Sequence, residues 1–235
     1  MPASWAVHIA QKTLPNWQVS TVNGSFWRGN ILNNQLLIND NPLPLGKLQW
    51  QLNPISFLWL TPCIKFTTHL RNQILSANAC LSLIDGQLHL YNGQFSVNAA
   101  ALEPWLVMRL GGSADMTIKS MVFKKGSFSD IEGVIKWRQA QFHNSRTWID
   151  LGDLEIRLSD NGAGGVQGKL TNIDPEPLIT DLTIEIPRTS GLSISGEVTP
   201  NSKEQSTSNE ALHQILQMIG KPNERGGYVI AWNNR

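Results

Sequence analysis

The sequence predicts a mainly β protein: a large curved antiparallel sheet folded over its apolar face, with a short N-terminal helix and a C-terminal helix. Three observations carry this. Runs in which apolar and polar residues alternate recur along the chain, the clearest being Lys47-Leu48-Gln49-Trp50-Gln51-Leu52, which puts leucine and tryptophan on one face and lysine and glutamine on the other. Short turn signals bound these runs, and one-faced strands joined by short turns belong to antiparallel sheets with one solvated face. About a dozen such strands are too many for a flat open sheet, which must curl, split or close.

In chain order, residues 3–14 read as a short helix with Trp5, Ile9 and the Thr13/Leu14 region near one face, stopped by Pro15. Two placements stay open for it: at a membrane surface, where tryptophan favours the interface, or packed on the sheet. The stretch Gly24–Leu60 holds three of the nine tryptophans and organises the rest of the chain around it. It offers strands around Ser25–Arg28 and Ile31–Ile38, then the alternating strand through Trp50, whose ring belongs to the core. Ile64, Phe66 and Leu70 face one way, against Cys63, Lys65, Thr67, His69 and Arg71. A turn near Asn72-Gln73 returns the chain through Leu75, Ala77, Ala79, Leu81 and Leu83, against Ser76, Asn78, Cys80 and Ser82. Leu88 and Leu90 lead to Asn92-Gly93, a strong two-residue hairpin signal, then to Phe95 and Val97. A helical interval at Ala99–Leu110, around Glu103-Pro104, closes this half at Gly111-Gly112.

The second half repeats the strand habit in Ser113–Phe123, Ser127–Gln139, the Leu154/Ile156/Leu158 strand, the Leu182/Ile184/Ile186 strand and the Leu192/Ile194/Val198 strand. Residues 199–208 are polar and read as an exposed loop. Ser208-Asn209-Glu210 then caps a helix whose Ala211, Leu212, Ile215, Leu216 and Ile219 share a stripe, ended by Gly220 and Pro222. The helix is expected to cover an open end or edge of the sheet, and Val229 with Ala231 adds a last strand.

At 235 residues the chain suffices for a single β-rich domain spanning 1–235, able to bury roughly 70% of its unfolded surface. A second organisation stays open, with pseudo-repeat halves 15–112 and 113–235. Leu45-Gly-Lys-Leu-Gln-Trp-Gln-Leu has a counterpart 106 positions on in Leu151-Gly-Asp-Leu-Glu-Ile-Arg-Leu, and Gly24/Trp27 has one in Gly133/Trp137. Charged residues are 16% of the chain and balance to a formal +1. A nucleic-acid partner is therefore not expected, since phosphate binding needs a concentrated basic surface. The adjacent pair Lys124-Lys125 reads as a solvated turn.

The search for chemistry predicts no enzyme, no cofactor and no metal. His8, His69, His89, His143 and His213 lack metal-ligand spacing. The glycine-rich stretch Asn161–Gly168 leads into a strand, not into a helix N-terminus that could hold phosphate, and reads as a hairpin loop. Asp150/Asp153 and Asp174/Glu176 read as turn or strand-mouth carboxylates. The one covalent feature is a disulfide between Cys63 and Cys80. Their parities put both on the polar side of one hairpin, nearly opposite each other and within bridging distance. Such a bridge fits an oxidising compartment.

Pro2-Ala3 with Trp5, Gly-Ser-Phe-Trp-Arg-Gly at 24–29, Leu-Gly-Lys-Leu-Gln-Trp-Gln-Leu-Asn-Pro at 45–54, Gly133-Val-Ile-Lys-Trp137, Leu151-Gly152 and the ending Leu216–Tyr228 resemble, in that order, type II secretion system protein N. The resemblance implies a non-catalytic accessory of the inner-membrane secretion platform, a periplasmic scaffold for protein–protein contact. Other platform or secretin components would be its partners. It also implies a membrane helix before Pro2-Ala3, tethering a longer polypeptide to the inner membrane; the alternative is that Met1 is the natural start of a soluble protein. A second function stays open from the strand pattern: a periplasmic β-groove that holds a lipid or another hydrophobic ligand. The residues leave the oligomeric state and the partner-binding surface unassigned.

Overall fold

The computed structural model describes residues 1–13, 15–38, 41–70, 73–105, 109–124, 127–144, 146–175, 177–187, 191–201 and 207–234. Leu14, Arg71 and Asn72 of the expected first turn, Lys125, Glu176 and the centre of the expected loop at 202–206 lie outside them. Helix α1 spans Ala3–Thr13 and α2 spans Thr207–Ile219. The strands are β1 (Trp17–Val19), β2 (Val22–Gly24), β3 (Arg28–Ile38), β4 (Asn41–Asn53), β5 (Cys63–Leu70), β6 (Gln73–Leu81), β7 (Leu88–Asn98), β8 (Arg109–Lys124), β9 (Ser127–His143), β10 (Trp148–Asp160), β11 (Val166–Asn172), β12 (Leu178–Ile186), β13 (Leu192–Pro200), β14 (Gly220–Pro222) and β15 (Tyr228–Asn234). They form one open antiparallel sheet, in which nearly every strand neighbours the next in sequence; β1 and β2 both pair with β3, and β15 comes between β13 and β14. Two compact units make up the chain: residues 1–97 with 118–125, and residues 98–117 with 126–235.

In the first unit α1 lies on the sheet through Ala3 and Val7, which join Ile31 and Trp50 in a core extended by Leu48, Leu52, Ile64 and Phe66. Trp5 and Ile9 of α1 face outward. Trp50 is 6% exposed and pairs across the ladder with Gly29. A methyl group on Gly29 would sit 2.3 Å from the indole, so the missing side chain is what lets the ring lie against β3. The indole N–H donates to Phe26 O at 3.1 Å, giving the buried ring its polar partner. Residues 25–27 form the β2–β3 turn, closed by Ser25 N–H donating to Arg28 O at 2.8 Å. The Ser25–Arg28 strand expected from sequence is thus replaced by a turn, and the Gly24-x-x-x-x-Gly29 spacing serves that turn and the Trp50 ring.

Two further expectations in this unit change. Asn92-Gly93 makes no hairpin: β7 runs through it, with Asn92 at φ 51° and one β6 residue, Ala77, opposite both. This is a β-bulge. The chain reverses instead at 82–87, where Ser82 N–H donates to Gln87 O and Gly86 takes φ 68°. β6 therefore stops at Leu81, and Leu83 projects from the turn instead of extending the apolar face.

In the second unit α2 packs on the sheet, in contact with β10 and with the last strands of the order, β15 and β14. Ala211, Leu212 and Leu216 pack with Ile149 of β10, Leu178 of β12, Val198 of β13, and Tyr228 and Ile230 of β15. The last strand expected around Val229 and Ala231 is β15, with Tyr228 and Ile230 buried and Val229 and Ala231 exposed. α2 starts one residue before Ser208, so the expected cap lies inside its first turn. Of the helical interval expected at Ala99–Leu110, Ala99–Trp105 is a 3-10 segment, 106–108 lie outside the described residues, and Arg109 and Leu110 belong to β8. Gly111-Gly112 lies within β8, not at its start: Gly112 takes φ 89°, and a Cβ there would sit 2.3 Å from Arg138 O. Trp137, half-buried, donates its indole N–H to Gly111 O at 2.9 Å.

Each unit contains the same break in register. Gly46 (φ 68°) opposes Asn34 of the preceding strand, Leu45 is left unpaired, and regular pairing resumes at Ile31/Leu48. Gly152 (φ 72°) opposes Ala140, Leu151 is left unpaired, and pairing resumes at Trp137/Leu154. Every member of one set lies 106 positions from its counterpart. The register matches Trp137 to Ile31, so Trp27 and Trp137 are not equivalent positions.

Trp50→Ala is expected to cost about 3–5 kcal/mol through lost burial and a cavity, and Leu216→Ala about 2–5 kcal/mol, both read from denaturant midpoints; a change under about 1 kcal/mol at either position would contradict these packing assignments. Deleting 209–220 should abolish cooperative unfolding, checked by calorimetry.

Candidate functional site

The first unit carries an apolar groove of about 430 Å³ beside α1, walled by Val7, Trp17, Leu36, Leu48, Phe66 and Leu75 among others. Its two polar wall residues are Asn34 and Thr68, both buried. Asn34 Nδ2 donates to Gly46 O at 2.7 Å, and its Oδ1 accepts from Trp17 Nε1 at 3.1 Å. With its amide so engaged, Asn34 offers little to a ligand, and the groove presents hydrocarbon. Asn34 thereby serves the register break at Gly46 and the groove together.

Cys63 and Cys80 are directly opposed on β5 and β6, with Cα atoms 4.0 Å and sulfurs 2.04 Å apart. The bridge sits where two connections leave the sheet side by side. One is the 3-10 helix Pro54–Trp59 with Leu60, capped by Asn53 Oδ1, which accepts from Ile55 N–H at 3.1 Å. The other is the turn 82–87. Leu83 N–H donates to Leu60 O at 2.9 Å and Leu81 N–H to Pro62 O at 3.0 Å, joining the two. In the turn, a hydrogen bond from the Ser82 side chain, opposed by slight desolvation and helped by Gln87 N–H and the charge of Lys124, holds the Asp85 carboxyl below its usual range.

This stapled end carries Ile55, Leu58, Trp59 and Ile84 in the open, and sequence reasoning missed it. The signal was present: Pro54-Ile-Ser-Phe-Leu-Trp-Leu60 is densely apolar, without the alternation that a half-buried strand shows.

Two of the carboxylates singled out by sequence, Asp150 and Asp153, accept from the backbone. Asp150 Oδ1 accepts from Gly152 N–H at 2.9 Å, and Asp153 Oδ1 from Gln139 N–H at 2.7 Å, where Gln139 takes φ 49°. In the glycine-rich loop Asn161 Oδ1 accepts from Ala163 and Gly165 N–H, closing a hairpin into β11. Among the described residues no group of three or more His, Cys, Asp or Glu is placed to hold a metal, and no helix is long and apolar enough to cross a membrane.

Fold and surfaces define a class: an all-β protein of sequentially paired antiparallel strands, carrying one helix on each unit and conspicuous apolar surfaces. The chain belongs to the family of type II secretion system protein N, whose family model matches residues 15–231. That membership places it in type II secretion and implies contact with other components of that system. Neither the curated proteins nor the solved structures gave a match.

Thiol titration of the unfolded, unreduced protein is expected to find no free cysteine. Replacing both by serine should lower unfolding free energy by about 3 kcal/mol, the chain-entropy value for a loop of this length. Two reactive thiols would remove the bridge.

Proposed function

We propose that this protein is a non-catalytic accessory of the type II secretion inner-membrane platform, working on the periplasmic side as a scaffold that other platform or secretin components dock on. The full polypeptide would be held to the inner membrane by a single N-terminal helix. Family membership supports the system, and the Cys63–Cys80 geometry supports an oxidising compartment.

The observation that carries the scaffold reading is the contrast between edges and faces. The outer strands β1 and β14 are three residues long, and β14 ends in Pro222. Such edges give a pairing strand few backbone partners, whereas the sheet presents apolar residues beside α1. Docking on faces is the mode this structure favours. The shared register break at Gly46 and Gly152 further supports a single β-rich domain built from two pseudo-repeats.

The groove favours a second reading, in which it holds a lipid acyl chain, because its wall is almost wholly hydrocarbon. Photo-crosslinkers placed at Leu36 and Leu75 in cells separate the two. Adducts with secretion-platform proteins support docking at the groove, and lipid that co-purifies in native mass spectrometry and is lost in Leu48→Asp supports the ligand reading. Unimpaired type II secretion in cells lacking the protein would overturn the platform role.

A further inference from the structure

The stapled end of the first unit carries side chains that the fold leaves unpacked. Leu58, Trp59 and Ile84 are 81%, 74% and 78% exposed, and Ile55 is 64% exposed. Leu60 and Leu83, each about half open, complete the set. Scattered exposed apolar residues need no explanation, but six on two joined connections do. We propose that this end is a lipid-interface contact, whose apolar side chains enter the headgroup–acyl boundary of a bilayer.

Three observations favour a bilayer over a protein partner. The first is backbone satisfaction. Leu60 N–H donates to Phe57 O, Thr61 N–H to Ser56 O, Leu83 N–H to Leu60 O and Gly86 N–H to Ser82 O, so these connections offer few open donors to a pairing strand and tolerate a medium poor in hydrogen-bond partners. The second is presentation. The side chains stand out from the connections, half to four-fifths exposed, whereas the anchors of protein interfaces act with fitted surroundings that exclude water. The third is composition. Trp59 among leucine and isoleucine is the residue set of a water–lipid boundary, and the sole acid of residues 54–62 and 82–87, Asp85, has the ammonium of Lys124 at 3.8 Å. The Cys63–Cys80 bridge and the Leu83–Leu60 and Leu81–Pro62 hydrogen bonds keep the connections together, so the apolar set is presented as one patch. The patch is separate from the groove and does not depend on the scaffold reading.

The test is flotation of the 235-residue chain with vesicles of phosphatidylethanolamine containing one part in four phosphatidylglycerol, with tryptophan quenching by bromine-labelled lipids read in parallel. The chain is expected to float and to be quenched. Leu58→Ser/Trp59→Ser and Ile84→Ser are each expected to cut the bound fraction about tenfold, as loss of interfacial anchors does, with circular dichroism unchanged because these side chains are exposed. Trp232→Ser, an exposed tryptophan of the other unit, should bind as the parent does. Failure of the parent to float overturns the proposal. So does binding that survives Leu58→Ser/Trp59→Ser but is lost with Trp5→Ser, which would move the contact to α1. Self-association without vesicles, abolished by Leu58→Ser/Trp59→Ser in a chain that does not float, would make the patch a protein contact and likewise overturn it.

Discussion

Helix length against sheet width is the constraint on which the rest of this structure depends. A helix of eleven residues such as α1 is roughly 16 Å long, and strands lie about 4.8 Å apart, so it covers the width of about three strands. The first unit pairs β1 through β7. Apolar side chains beyond the helix need other cover, and beside α1 a hydrocarbon-walled groove remains. In the second unit the thirteen-residue α2 draws Ile149, Leu178, Val198, Tyr228 and Ile230, from four strands, into one cluster.

Long antiparallel ladders also need places where register and direction adjust, and these fall on residues able to take positive φ. Gly46 and Gly152 do so at corresponding points of the two units. Side chains then hold the irregular backbone: Asn34 bonds the Gly46 carbonyl in one unit, and Asp150 and Asp153 bond the Gly152 and Gln139 amides in the other. The same break is thus stabilised by different chemistry in the two units. Gly29 belongs to this logic in a different way. It removes a side chain so that a large ring can pack, and it couples the β2–β3 turn to the core through the Trp50–Phe26 hydrogen bond.

The family's motifs acquire physical meaning here. Gly24 and Gly29 bracket a turn, Trp50 fills the space over Gly29, and Leu45-Gly46 makes the bulge. Each is architectural, which is why the residues pointed to a family without pointing to a reaction. On the proposed scaffold reading function resides in surfaces, and surfaces leave weaker marks in a sequence than catalytic constellations do.

What the sequence determined by itself was set by local rules. Alternation with period two marked the strands and the inward side of β4. The i, i+3, i+4 stripe marked α2, and the parity of Cys63 and Cys80 put them on one side of one hairpin. What the tertiary structure decided was the use made of ambiguous signals. Asn92-Gly93 and Gly111-Gly112 are equally suited to a turn or to a bulge, and the choice falls to the neighbouring strand, whose continued pairing makes a bulge of the first and holds the second within β8. Likewise the missing alternation around Leu58 sets it apart from the strand residue Leu48, but no local rule decides that Leu48 lines a groove while Leu58 stands in the open. Burial depends on which other segments arrive to cover a residue, and that is a property of the assembled chain.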